Sequence, residues 1–357
     1  MKRLLRYYLL LLCLVFIQCS LAGQPAGYYS AADGLSGTAL QQALHDIIDN
    51  HTSVSYAQLW TSFQSTDRKV NGTVWDMYSD NPAGTPPYSF IFITDQCGNY
   101  SKEGDCYNRE HSFPKSWFGG EVAPMYTDLF HLYPTDGYVN NKRDNYPFGE
   151  TASPTWTSSN GSKLGPSSYT GYTGVVFEPV DGFKGDFART YFYMAVRYYG
   201  EDAGWPGSDM VNGSQLKPWA MKMLLEWDAA DPVSQKEKDR NEAVYAIQKN
   251  RNPFIDNPSY AALIWGTQTG IPDLSSYSRK LKIYPNPAVN YLTIGVPEDF
   301  NNSYSVTICD PSGKTIMSNT VSGRPLTLDV TKMEPGFYLL SVKDKRAVLC
   351  GRVIISH

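Results

Sequence analysis

NREHSFPKS at residues 108–116 and DLFHLYPTDGYVNNKRDNY at residues 128–146 are the two stretches from which the fold of this chain can be predicted. The first stretch places a guanidinium, a carboxylate and an imidazole in consecutive positions and soon reaches a proline. The second ends in a polar run that contains several amides and basic side chains. A lone Glu-His pair is usually an exposed pair without a catalytic role. The two stretches together are therefore stronger evidence for a functional site than either stretch alone.

These residues have the chemistry that hydrolysis of a phosphodiester requires. The reaction needs an activated water, a cation on the scissile phosphate and donors for the developing negative charge. A neutral histidine can activate the water, and a carboxylate with an amide oxygen can hold a hard divalent cation. His111 and Glu110 in the first stretch and the asparagines of the second stretch are side chains of these kinds.

Both stretches resemble the endonuclease I family of secreted bacterial nucleases, which belongs to the His-Me finger (ββα-metal) group. The resemblance continues in order through NYPFGE at residues 145–150, FKGDFAR at 183–189, DPVS at 231–234 and NRNPFID at 250–256. It spans roughly residues 30–266 and implies an α+β fold with a His-Me finger nuclease domain.

The resemblance implies a role for each matching residue. His111 would be the general base that deprotonates water, while Glu110 and Asn140 would hold one Mg²⁺, with Mn²⁺ or Ca²⁺ as alternatives. The implied enzyme is a phosphodiester hydrolase that cleaves DNA, and RNA as an alternative substrate, without sequence preference and leaves 5′ phosphates. Lys115 and Arg143 are expected to contact substrate phosphates near the metal.

The chain departs from the family pattern at two places. Some members carry an insertion with a cysteine pair and a phosphate-contacting arginine, but only 28 residues separate His111 from Asn140, and no counterpart of that arginine is assigned. His131 follows a phenylalanine where members have His-Asn, so we expect a buried supporting histidine there. His45 and His51 are expected to be structural.

Residues 1–22 have the pattern of a secretory signal peptide. Three basic residues precede an apolar run over residues 7–17, and SLA at residues 20–22 offers a cleavage site after Ala22. Lipidation at Cys19 is an alternative that the large preceding residue disfavours. No later stretch has the ~20 apolar residues of a membrane span. We therefore expect a secreted or cell-surface protein without a stable membrane span.

Four cysteines follow the signal peptide: Cys97, Cys106, Cys309 and Cys350. Export permits disulfides, and the pairs Cys97–Cys106 and Cys309–Cys350 are our guesses among the possible connectivities. Since none of the four has metal-ligand spacing with a histidine, a zinc site is not expected.

The net charge argues against a nucleic-acid partner. The whole chain carries −4, and residues 24–280 hold 20 Lys and Arg against 29 Asp and Glu, a net charge of −9. Proteins that bind nucleic acids usually show a basic face. Any such face here must be local.

Composition and periodicity divide the chain into a first domain over residues 23–270, a linker over residues 271–280 and a C-terminal domain over residues 281–357. The resemblance implies that the first is the nuclease domain. Within the first domain the patterns predict a helix that begins near Ser36 or Thr38. They also predict helices at residues 185–199, 213–228 and 234–249, and buried strands at residues 88–94 and 174–178.

The C-terminal domain opens with KIYPNPAVNYL at residues 282–292 and continues in short alternating runs separated by turns. This pattern predicts a small all-β sandwich. The opening, with GFYLLSV at 336–342 and RVII at 352–355, resembles the C-terminal sorting domain of the type IX secretion system. That resemblance implies export by the type IX secretion machinery, with a carbohydrate-binding sandwich as the alternative.

Two alternatives to a secreted nuclease stay open. The acidic charge favours a surface nucleic-acid-binding protein whose catalytic site has lapsed, although Glu110, His111 and Asn140 are intact. A phosphodiesterase for small substrates is the other. An unperturbed His111, with a pKa near ~6.5, would make activity fall in acid. The preference between DNA and RNA, the physiological metal, surface attachment and the oligomeric state stay open as well.

Overall fold

The computed structural model describes residues 23–82, 84–266, 281–296, 303–310, 314–322, 325–343 and 348–356. Contacts divide the chain into two compact units, one built mainly on residues 40–265 and the other mainly on residues 266–357. The predicted signal peptide and the predicted linker at 271–280 lie outside the described residues. Among the helices described, none is long and apolar enough to cross a membrane.

The first unit mixes helices with short strands. Helix α1 (Gly37–Ile48) confirms the helix predicted to begin near Ser36 or Thr38, and it buries Leu40, Leu44 and Ile48 completely. Further helices are α2 (Leu59–Thr66), α3 (Gly137–Arg143), α4 (Lys184–Arg197), α5 (Pro218–Ala230), α6 (Gln235–Gln248), α7 (Pro253–Asp256) and α8 (Ser259–Trp265). Helices α4 and α6 lie where periodicity predicted them.

The two stretches quoted first form a β-hairpin that leads directly into a helix. Strand β1 (Tyr107–His111) pairs antiparallel with β2 (Leu132–Asp136), and Glu110 lies opposite Tyr133. Helix α3 begins at the residue that follows β2. Residues near the end of β1 are therefore brought close to the side chains of α3.

The start of α3 is fixed by Asp136, the last residue of β2. Its Oδ1 accepts hydrogen bonds from the backbone N–H groups of Tyr138 at 2.8 Å and Val139 at 2.9 Å. Its Oδ2 accepts a third from the N–H of Gly104 at 2.7 Å. The carboxylate therefore satisfies two of the helix's unpaired donors and ties a neighbouring loop to them.

Helix α4 is almost entirely enclosed, since thirteen of its fourteen residues are buried. The same unit contains a three-stranded antiparallel sheet and a short hairpin. The sheet contains β3 (Trp156–Thr157), β4 (Lys163–Pro166) and β5 (Val175–Glu178), and the hairpin contains β6 (Val211–Asn212) and β7 (Gln215–Leu216). Strand β5 confirms the strand predicted at 174–178. The helix predicted from residue 213 begins only at Pro218, because this hairpin precedes it.

The strand predicted at residues 88–94 is wrong. The segment ends in a turn, and although Phe90 and Phe92 are buried, Ile91 and Ile93 are 57% and 64% exposed. The turn is held by the carboxylate of Asp95, which accepts a hydrogen bond from the N–H of Ile91 at 2.6 Å. An apolar run predicted a fully buried strand, but this local bond bends the backbone instead.

Cys97 and Cys106 form a disulfide with their Cα atoms 5.7 Å apart. The loop they close precedes β1 directly, and the carbonyl of Cys106 accepts a hydrogen bond from the N–H of Gly137 at 2.9 Å. The bond therefore lies where the loop meets both β1 and the start of α3.

The second unit consists of two antiparallel sheets. One has the order β11-β10-β13-β14 and the other the order β12-β9-β8. Their bounds are β8 (Lys282–Tyr284), β9 (Tyr291–Gly295), β10 (Ser303–Cys309), β11 (Thr315–Ser322), β12 (Leu326–Asp329), β13 (Gly336–Lys343) and β14 (Val348–Ile355). Buried residues of both sheets form one core, which agrees with the predicted all-β sandwich.

The predicted disulfide between Cys309 and Cys350 is wrong. Cys309 has a free thiol that lies 3.8 Å from Thr315 Oγ1. Cys309 is on β10 and Cys350 on β14, and β13 lies between these strands. Two strand spacings separate them by about 9–10 Å, which exceeds the reach of a disulfide of roughly 7 Å between Cα atoms.

Asp136→Ala should lower the free energy of unfolding by about 1–2 kcal/mol, because three backbone N–H groups lose their acceptor. Thermal unfolding followed by circular dichroism would show the loss as a lower Tm. The matched control is Asp46→Ala, at an exposed position of α1, with an expected change within about 0.5 kcal/mol. Equal Tm values for Asp136→Ala and the unsubstituted chain would contradict the capping role.

Candidate active site

An open cleft of about 250 Å³ on the first unit brings the predicted site residues together. Strand β1 contributes Glu110 and His111, and helix α3 contributes Asn140 and Arg143. Lys115, shortly after β1, lines the same cleft. The hairpin and helix thus place a carboxylate, an imidazole and an amide around one cleft.

Glu110 is held rigidly, with only 4% of its surface exposed. Its Oε1 accepts hydrogen bonds from the Tyr78 hydroxyl at 2.7 Å and from Arg143 Nη1 at 3.0 Å. Burial raises the pKa of Glu110, while these two neighbours oppose the rise. Because both partners bind Oε1, Oε2 is the oxygen left to face a ligand.

His111 is oriented by a hydrogen bond and by stacking. Its Nε2 lies 3.0 Å from the carbonyl oxygen of Tyr126, which can only accept, so the ring carries its proton on Nε2 and a lone pair on Nδ1. The rings of His111 and Tyr126 stack with centroids 5.2 Å apart. Burial lowers the pKa of His111 to about 3, below the usual value of a histidine.

Asn140 is oriented by its neighbour on β1. Its Nδ2 donates a hydrogen bond to Asn108 Oδ1 at 2.8 Å. The donor end of the amide is therefore occupied by the protein, and Oδ1 is left as the acceptor that can serve a ligand in the cleft.

Arg143 lies in a different position from that expected of a phosphate contact. It is 1% exposed, and its Nη1 binds Glu110 Oε1 while its Nη2 donates to the carbonyl of Ser112 at 2.6 Å. Nη1 also lies 3.2 Å from the carbonyl of His111. The buried position of Arg143 favours a structural role, in which the side chain holds the end of β1 against α3. A contact with a substrate phosphate would require a more exposed side chain.

Lys115 has the exposure that a phosphate contact requires. Its side chain is 47% exposed, and its Nζ lies 3.1 Å from Glu121 Oε1. Exposed ion pairs of this kind contribute little to stability, about 0–1 kcal/mol. Lys115 can therefore exchange this partner for a phosphate.

Arg109 and Tyr56 also line the cleft, although sequence reasoning gave neither a role. The Arg109 guanidinium lies 3.6 Å from the ring centroid of Tyr56 and 4.5 Å from that of Trp60, and Nη1 donates to the Tyr56 carbonyl at 2.8 Å. The ion pairs found among the described residues do not include Arg109. In the sequence, the position of Arg109 beside Glu110 was the indication available for Arg109. No local sequence pattern indicated Tyr56.

His131 and His51 have the structural surroundings that were expected. His131 is fully buried, with its Nε2 2.7 Å from the carbonyl of Met125. His51 is also buried, and its Nδ1 accepts a hydrogen bond from Arg197 Nε at 3.1 Å. Neither histidine lines the cleft.

A second group of possible metal ligands, His45, Asp49 and Glu201, lies outside the cleft. Arg197 already binds the carboxylates of Asp49 at 2.9 Å and Glu201 at 2.8 Å. A guanidinium among the ligands disfavours a cation there. The cleft therefore holds the stronger candidate ligands.

Both parts of the chain are similar to known proteins or protein families. Extracellular ribonucleases of Bacillus amyloliquefaciens and Bacillus subtilis (strain 168) are 41% and 36% identical over 248 residues, which cover 67% of this chain and 78% of each relative. A periplasmic deoxyribonuclease of Aeromonas hydrophila is 29% identical over 143 residues, or 38% of this chain and 50% of the relative. Residues 282–356 match the secretion system C-terminal sorting domain, and residues 36–259 match Endonuclease I. The chain belongs to the Endonuclease I family and carries a C-terminal sorting domain for secretion.

Proposed function

We propose that the protein is a secreted, metal-dependent endonuclease that hydrolyses phosphodiester bonds in nucleic acids. The observation that carries this proposal is the convergence of Glu110, His111 and Asn140 on one cleft. Arg109 and Lys115 add positive charge at the same place, although the surrounding domain is acidic. A local cationic site suits a substrate that is held at a few phosphates.

His111 serves as the general base in this proposal. The Tyr126 carbonyl keeps the proton on Nε2, so the lone pair on Nδ1 can take a proton from water as the water attacks phosphorus. The burial that lowers the pKa of the ring keeps it neutral, and the stacked Tyr126 restricts its rotation. The histidine is thus held in the protonation state and orientation that a base needs.

Glu110 and Asn140 fit a hard divalent cation such as Mg²⁺. The oxygens that their protein contacts leave available, Oε2 and Oδ1, are of the kind that Mg²⁺ prefers. When bound, the cation supplies positive charge to the scissile phosphate and to the leaving 3′ oxygen. Tyr78 and Arg143 fix the carboxylate and Asn108 fixes the amide, so both ligands are oriented in advance. The expected products carry 5′ phosphates.

The order of elements supports a His-Me finger. Strands β1 and β2 and helix α3 follow one another as ββα, with His111 on the first strand and Asn140 on the helix. The long connection between the strands contains Tyr126, whose carbonyl fixes the histidine tautomer. One continuous segment of the chain thus provides the base, both metal ligands and the group that orients the base.

Both DNA and RNA are proposed as substrates. The names of the relatives include ribonucleases and deoxyribonucleases, so the family permits either polymer. Lys115 and Arg109 are placed for contact with the sugar-phosphate backbone, which carries no direct sequence information. We therefore propose cleavage without sequence preference.

The proposed location is outside the cell or on its surface. The sorting-domain match supports export, and we propose that residues 1–22 act as a signal peptide for the first membrane and that the type IX machinery moves the protein across the second. The extracellular relatives support the same location.

The acidic charge of residues 24–280 favours one alternative, a surface protein that binds nucleic acid without cleaving it. Binding with no metal-dependent cleavage would support this alternative. The oriented His111 and the two positioned ligands instead favour catalysis, because binding alone requires none of them.

Digestion of supercoiled plasmid tests the proposed mechanism. With Mg²⁺ the protein should convert plasmid to a continuous smear, and EDTA should abolish cleavage because the phosphate loses its cation. His111→Ala and Glu110→Gln should each lower the rate at least about 100-fold, by removal of the base or of a charged ligand. The matched control is Glu226→Gln at an exposed position of α5, which should cleave at the rate of the unsubstituted protein.

Three results would contradict the proposal in different ways. Full activity of His111→Ala would mean that another group is the base. Undiminished cleavage in EDTA would exclude an exchangeable metal. A few discrete bands from a long duplex would show sequence preference and would contradict recognition through the backbone.

Arg143→Met should reduce stability rather than substrate affinity alone. The substitution leaves Glu110 as a buried carboxylate without its cationic partner, at a cost of about 3–5 kcal/mol. Lys115→Met, at an exposed position, should leave the Tm nearly unchanged and instead raise KM at low salt, with a KM that depends less steeply on salt than that of the unsubstituted protein. Measured Tm and KM values for the two variants distinguish a structural role for Arg143 from a phosphate-binding role for Lys115. An unchanged Tm for Arg143→Met would instead favour a phosphate contact by Arg143.

A further inference from the structure

A second cleft, of about 440 Å³, adjoins the active-site cleft. Tyr56 and Arg109 line both clefts and therefore form a common wall. Trp60, Gln96 and Asn108 line the second cleft only. Its volume lies in the range of small-molecule sites. A nucleotide attached to the scissile phosphate would therefore reach this space.

The common wall contains a cation held in place by aromatic rings. The Arg109 guanidinium lies over the rings of Tyr56 and Trp60, and one hydrogen bond ties its Nη1 to the Tyr56 carbonyl. The remaining guanidinium donors lack a carboxylate partner among the described residues. A cation fixed in this way is suited to a phosphate, because little side-chain entropy is lost when the phosphate binds.

Gln96 provides an independent indication of a ligand. Its Oε1 is buried, and among the described residues it has no hydrogen-bond partner. Buried acceptors are normally paired, so this oxygen indicates a donor that the described protein groups do not supply. Gln96 lines the second cleft, and every nucleobase carries N–H donors on its edge.

We propose that the second cleft binds the base of a nucleotide next to the scissile phosphate. The base donates an N–H to Gln96 Oε1 and packs against the Trp60 side of the cleft, while Arg109 binds the phosphate that links this nucleotide to the active site. This assignment rests on the proposed nuclease function. It makes Gln96 and Trp60 specificity-determining residues of the same site.

The cleft should favour unpaired strands. A base in a duplex is stacked on its neighbours and paired along its edge, so it can enter a side cleft only after it is flipped out, at a cost in free energy. An unpaired base presents both its face and its edge without that cost. The second cleft therefore favours single-stranded nucleic acid over duplex.

The test uses one short fluorescent DNA oligonucleotide, presented alone or annealed to its complement. The full chain should cleave the single strand with the higher kcat/KM. In Gln96→Leu and Trp60→Leu the ratio of the two kcat/KM values should fall about tenfold, mainly through a higher KM for the single strand. The matched controls are Gln42→Leu at an exposed position of α1 and Trp219→Leu, whose side chain stacks on Tyr172 and lies in neither cleft. Both should keep the unsubstituted ratio.

A ratio that stays the same in Gln96→Leu and Trp60→Leu would overturn the assignment, as would an unsubstituted protein that prefers duplex. Gln96→Leu removes an acceptor that makes no described hydrogen bond, so its Tm should not fall and the variant should fold. If the protein cleaves neither substrate, the proposed function fails separately. In that case, fluorescence anisotropy in EDTA measures the affinity of each variant for the fluorescent single strand. The assignment requires that Gln96→Leu bind this strand more weakly than Gln42→Leu does.

Discussion

The buried contact between Arg143 and Glu110 is the constraint on which the site depends. Arg143 ends α3 and Glu110 lies near the end of β1, so their 3.0 Å contact fixes the helix against the strand. The same guanidinium binds the carbonyls of His111 and Ser112 and therefore holds the strand backbone as well. A buried ion pair is favourable only when further hydrogen bonds offset the loss of water, and the Tyr78 hydroxyl supplies one to Glu110.

A series of stacked planar groups connects the active site to the second cleft. His111 stacks on Tyr126, Tyr126 stacks on Tyr56 at 4.5 Å, and Arg109 lies over the other end of the series at 3.6 Å from Tyr56. Burial of the imidazole among these groups is the main physical cause of the low pKa of His111. The same packing therefore favours a neutral imidazole and holds a cation beside the cleft.

Local chemistry explains what the sequence could predict. The segment from β1 to α3 is continuous, so its two motifs carried the resemblance that implied roles for Glu110, His111 and Asn140. The role of Arg143 was not predictable in that way, since a basic residue at the end of a short helix gives no sign that it is buried. Tyr56 and Gln96 reach the site through tertiary packing and leave no local pattern. The separation of Cys309 from Cys350 depends on strand order, which spacing along the chain does not determine.

The acidic charge of the first domain is compatible with a polyanionic substrate once the placement of its basic residues is considered. Arg189, Arg240 and Arg251 are buried and bind internal carboxylates, so their positive charge serves the fold. Long-range attraction to nucleic acid is therefore weak, and affinity must come from short-range contacts in and beside the cleft. Stacking, hydrogen bonding and metal coordination are contacts of that kind, and a polymer with unpaired bases offers more of them than a duplex does.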